Sequence, residues 1–97
     1  MRMLVDIQMP LEPFNARVKD GTAGQILQSI LTELKPEAAY FYPEDGKRTA
    51  LMVFDMKGSW QFPAMVEPLF QNLGASVQVT PVMNGEDLQR GFKEAGM

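Results

Sequence analysis

The apolar residues of this chain change period along its length in a fixed order: two, then 3.6, then two twice over, then 3.6, then two. Residues 2–9 alternate, with Met3, Val5, Ile7 and Met9 on one side and Arg2, Leu4, Asp6 and Gln8 on the other. That pattern is a strand with one dry face and one mixed face. Residues 22–34 carry Leu27, Ile30, Leu31 and Leu34 at helical spacing, and Thr22 with Gln25 reads as a capping box. Residues 37–44 and 47–56 are strands joined by Asp45-Gly46, a pair that suits a type I′ hairpin because both positions need positive φ. Residues 60–73 place Phe62, Met65, Val66, Leu69, Phe70 and Leu73 on one helical stripe. Pro68 inside it predicts a kink. Residues 75–83 form a fourth strand, and Asn84 can cap a last short helix docked by Leu88 and Phe92. Proline starts helices readily, so a further short helix is expected near Pro13, within the long connection from Pro10 to Gly21.

The order βαββαβ, with a C-terminal helix added, points to an α+β ferredoxin-like sheet with strand order 4-1-3-2. The prolines agree. Pro43 and Pro81 lie in the second and fourth strands, which that order places at the edges, where a missing N–H does no harm. Residues 1–97 are expected to form one domain, since a chain of this length buries roughly 65% of its unfolded surface around a single core.

Composition removes whole classes of chemistry. There is no cysteine and no histidine, so disulfides, thiolate nucleophiles and the usual zinc and haem ligands are excluded. No metal and no cofactor is expected. The nine basic residues are scattered and the formal charge is −3, which argues against nucleic acid. RNA recognition on this fold also needs aromatics on the two central strands, and the first has none. No apolar run reaches the ~20 residues that span a bilayer, and Asp6 interrupts the N-terminus too early for a secretory signal. No membrane association and a cytoplasmic location are the expectation. The eight methionines read as core filler, and Trp60 as a partly buried anchor beside Ser59.

With two helices on one face of the sheet, the other face is left half-apolar. Folds of this kind cover such a face by pairing with a second copy, and the space beside the sheets is a natural small-molecule site. Asp6 points to that face from a central strand. It is the candidate catalytic residue, an acid or base whose proton affinity burial would raise; otherwise it is a carboxylate paired with arginine or left wet. Arg17, in the connection after the first strand, is a candidate anion anchor that could border the same cavity, or simply neutralise Asp6. Tyr40 and Tyr42 share one side of an edge strand and can line a pocket, anchor a dimer or merely pack. The stretch from Phe14 to Gly24 sets two basic residues before a helix N-terminus but lacks phosphate-loop spacing.

Pro13-Phe14-Asn15, Asp20-Gly21-Thr22-Ala23-Gly24 and Lys35-Pro36-Glu37-Ala38-Ala39-Tyr40-Phe41, with Glu67-Pro68 and Glu86-Asp87-Leu88, resemble a family of small, uncharacterised bacterial proteins akin to dimeric α/β-barrel proteins. The resemblance implies a homodimer with two sheets packed together. It also implies either a cofactor-free enzyme of monooxygenase or isomerase type or a ligand-binding relative, and it brings no catalytic residues with it. The haem-degrading branch of that wider group relies on a histidine absent here. The leading expectation is therefore a homodimeric small-molecule-binding protein. The alternative is a non-catalytic structural or regulatory module that uses the same surface to bind a protein.

Overall fold

The computed structural model describes residues 1–97. In chain order the elements are β1 (Arg2–Gln8), α1 (Leu11–Lys19), α2 (Ala23–Leu34), β2 (Ala38–Glu44), β3 (Lys47–Asp55), a 3-10 turn (Ser59–Gln61), α3 (Phe62–Leu73), β4 (Ser76–Pro81) and α4 (Gly85–Glu94). The four strands form one sheet in the order β2-β3-β1-β4, every neighbour antiparallel. This is the expected ferredoxin-like order read from the opposite edge, with both proline-bearing strands outermost.

Strand parity decides the core. Met3, Val5, Ile7 and Met9 are buried with Ala50, Met52 and Phe54 of β3, and Phe14, Ile30, Met65, Leu69 and Leu73 come down on them from the helices. Five of the eight methionines, Met3, Met9, Met52, Met56 and Met65, are buried, as gap-fillers should be. The hairpin has positive φ at both Asp45 and Gly46, so its Asp-Gly pair was a sound signal. Glu12 takes the extended backbone usual before proline, so the helical part of α1 begins at Pro13, as expected. The α3 helix runs through Pro68 to Gly74, which closes it in the left-handed conformation. No helix is long and apolar enough to cross a membrane.

Three local expectations are corrected. Thr22 does not form a capping box with Gln25: its backbone is helical and it makes no side-chain cap. Instead Asp20 Oδ1 accepts both the Thr22 N–H at 2.9 Å and the Thr22 hydroxyl at 2.6 Å, because a carboxylate two residues upstream is the stronger acceptor. Trp60 is not the partly buried anchor expected. It is 75% exposed and lies against Gly58, where any side chain would collide with the indole. Leu88 and Phe92 do not dock α4: both stay exposed and no residue of that helix is buried. Only the cap of α4 is as expected, with Asn84 and Asp87 bonding reciprocally.

Candidate functional site

The face of the sheet turned away from the helices is laid out in cross-strand rows by the register. Ala38, Val53, Leu4 and Thr80 form one row, and Tyr40, Leu51, Asp6 and Gln78 the next. Tyr42, Thr49, Gln8 and Ser76 form the third. The first is mostly apolar and the third polar, so the face changes character at the row of Asp6. Glu44 continues the parity of Tyr40 and Tyr42 one step beyond the third row.

The polar end is tied together. The Tyr42 hydroxyl donates to Glu44 Oε2 at 2.7 Å, and Gln8 Nε2 donates to Glu44 Oε1 at 3.1 Å. Gln8 also reaches Asp45 Oδ2 at 3.4 Å. A cleft of about 260 Å³ opens here, lined by Asp6, Gln8, Glu44, Asp45, Ser76, Val77 and Gln78. Asp6 holds its proton above the ordinary aspartate range, first because burial disfavours its charge, then through its hydrogen bond to Glu44 and the charges of Glu44 and Asp45. Glu44 is lowered, chiefly by the Tyr42 hydroxyl and further by Asp6 and Gln8, with burial acting in the opposite direction. The Tyr42 phenol is pushed up to about 12, principally by that bond to Glu44, with burial and nearby negative charge adding to it. The two carboxyl groups are thus shifted in opposite directions, Asp6 toward holding its proton and Glu44 toward losing it.

The candidate residues from the sequence are distributed unevenly. Asp6 and Tyr42 meet in one network. Tyr40 is on the same face, 66% exposed, over the apolar rows and outside the cleft. Arg17 does not share a cavity with Asp6. It lines a separate hollow of about 290 Å³ beside Ile26, Ser29 and Ile30 of α2 and Gln71 and Asn72 of α3. The reason is the anchoring of α1. Phe14 is buried in the core under the Arg48 guanidinium, 5.8 Å from its ring, and Arg48 Nη1 donates to Asn15 Oδ1 at 2.7 Å. These contacts hold α1 on the helix-covered side, whereas alternation along β1 sends Asp6 to the other.

Glu44 and Gln8 are the residues that sequence reasoning missed. The signal was available for Glu44, since period two places it with Tyr40 and Tyr42. Its meeting with Asp6 across the intervening β3 needs the sheet register. A roomier hollow, about 470 Å³, lies at the far end among Leu34, Phe54, Met56, Gln61 and Met65, and its walls are half apolar. It contains none of the hydrogen-bonded network just described.

No protein-family model matches the chain, and no curated protein matches it. Among solved structures it is similar to a de novo designed protein, Ferredog-Diesel, at 9% sequence identity and a TM-score of 0.47, covering 84% of this chain and 85% of that one. A likeness of that degree decides nothing about this chain, whose fold rests on the strand order and register described above.

Proposed function

We propose that the protein is a homodimeric small-molecule-binding protein whose ligand lies on the open sheet face beside Asp6. The observation that carries this reading is the Asp6–Glu44 pair lining one cleft at the border of an apolar and a polar row, with burial raising the proton affinity of Asp6 and the Tyr42 hydroxyl lowering that of Glu44. Such a pair can give a proton to a bound molecule and take one back without a cofactor. That chemistry suits an isomerase-like proton transfer. Asp45 and Glu44 disfavour anionic ligands, so the fitting ligand is small, without negative charge, and has a hydrogen-bond acceptor to meet the Asp6 proton. Val77 supplies the apolar side of the cleft, among Gln8, Ser76 and Gln78. Arg17 takes no part. The resemblance to small bacterial relatives of dimeric α/β-barrel proteins points the same way.

A second reading, a non-catalytic interaction module, is favoured by the breadth of the uncovered apolar rows. A thermal-shift screen of neutral and cationic metabolites against wild type and Asp6→Asn separates the two. A ligand at 100 times its dissociation constant adds about 2.7 kcal/mol of stability. A hit whose shift is lost in Asp6→Asn supports the first reading. Hits indifferent to Asp6, or none at all, favour the second.

A further inference from the structure

The most exposed regular element of the chain is α4. Leu88 and Phe92, one turn apart on one side of it, are 39% and 43% exposed, while Arg90 and Glu94 pair at 3.2 Å across its polar side. Ten residues are too few for a helix to hold itself in water, where about 12–15 are needed. Yet the sequence caps this one with a full capping box. The chain as a whole is correspondingly extended. Its radius of gyration is 15.7 Å, against about 12.5 Å for a compact domain of this length. Its accessible surface is 6537 Å², against ~5,600 Å² for a folded monomer of this mass.

We infer that α4 docks on the open sheet face of a second copy of this chain, with Leu88 and Phe92 over Leu4, Leu51, Val53 and Tyr40. This deepens the homodimer reading, on which it rests, by naming the interface. The surplus surface, about 900 Å² per chain on the scaling above, is close to the ~800 Å² that each partner buries in a standard interface. The dimensions agree as well. A ten-residue helix is ~15 Å long, and four strands span ~14 Å between outer axes. The chain's own face is not the target. The ladder continues past β4, with the Val82 N–H donating to the Arg2 carbonyl at 3.0 Å, and Asn84 already caps the helix with an extended backbone. Only Met83 lies between, too little chain to reverse the helix over its own sheet. Direct pairing of two sheets would leave Leu88 and Phe92 wet.

The chain has no cysteine, so engineered thiols report contacts cleanly. Leu51→Cys and Phe92→Cys are made as separate proteins, mixed at micromolar concentration and oxidised. The expected product is a covalent dimer of one variant with the other, in preference to self-pairs. Leu88→Asp/Phe92→Asp should weaken self-association at least 100-fold in sedimentation while the sheet's circular dichroism persists. Arg90→Gln, on the polar side, should leave association unchanged. Self-pairing of Leu51→Cys without the mixed product would overturn the α4 interface and leave a sheet-to-sheet homodimer standing. A wild-type monomer with no cross-link would overturn both. An intrachain bond in the double-cysteine protein at high dilution would place α4 on its own sheet and equally refute the inference.

Discussion

Replacing Asn84 with alanine isolates the energetics of α4. The change removes the acceptor that holds the Asp87 N–H at 2.8 Å and leaves only the return bond, Asn84 N–H to Asp87 Oδ2 at 3.1 Å. Losing such a cap costs about 1 kcal/mol. If α4 merely projected into solvent, that cost would fray one helix and touch nothing else. If α4 is ordered by docking on a second copy, the cost enters the association equilibrium. Each dimer contains two such helices, so the penalty is about 2 kcal/mol and the dissociation constant rises roughly 30-fold. Sedimentation equilibrium over a concentration series measures it. Circular dichroism supplies a second readout, because α4 holds ten of the forty-three α-helical residues (9, 12, 12 and 10 in α1 to α4). Diluting the wild type below its dissociation constant should therefore remove up to about a quarter of the helical signal. An Asn84→Ala protein that associates as tightly as wild type, with its helical signal equally independent of concentration, would refute the reasoning.

Other consequences follow from the carboxylate pair and the core. Asp6 binds its proton more tightly folded than unfolded, so its contribution to stability is present below about pH 3.8, the ordinary value, and is lost as pH rises through the raised one. Asp6→Asn, which donates to Glu44 at every pH, should gain in melting temperature over wild type as pH increases through that window; parallel melting curves from pH 3 to 8 would contradict it. Glu44 acts in the opposite sense, its contribution being present above about pH 4.5 and lost as pH falls through its lowered value. Absorbance titration should show the Tyr42 phenol ionising at about 12, and Glu44→Gln should bring that midpoint back toward 10; an unmoved midpoint would mean that the Tyr42–Glu44 bond is not made. Leu69 is fully buried in α3, so Leu69→Ala should cost about 3 kcal/mol in urea unfolding. A loss under 1 kcal/mol would remove it from the core.

Features governed by neighbouring residues were legible in the sequence. Alternation along residues 2–9 sorted Met3, Val5 and Ile7 from Leu4, Asp6 and Gln8 correctly, because a strand has a side-chain period of two whatever packs on it. Asp45-Gly46 and the edge prolines followed from backbone dihedrals and a missing donor, and so did the strand order. Local competition was harder to read: Asp20, Thr22 and Gln25 are all within reach of one helix start, and the sequence motif favoured the wrong acceptor. Trp60 failed for another reason. A large ring beside a helix start is expected to be partly buried, but without a side chain at Gly58 the indole sits against that residue, exposed and outside the core.

The tertiary structure alone decided the composition of the candidate site. Asp6 and Glu44 are thirty-eight residues apart and meet because β3 lies between their strands in one register, pairing Asp6 with Leu51 and Leu51 with Tyr40. A shift of one residue in either ladder would turn one carboxylate to the other face. Arg17 illustrates the converse. Eleven residues from Asp6, it looked like a neighbour, but burial of Phe14 and its contact with Arg48 set α1 on the opposite side of the sheet. Strand parity is written in the sequence one residue at a time. Which parities meet across a sheet is settled by the helices that cover one face and the register that closes the ladders, and those are properties of the whole fold.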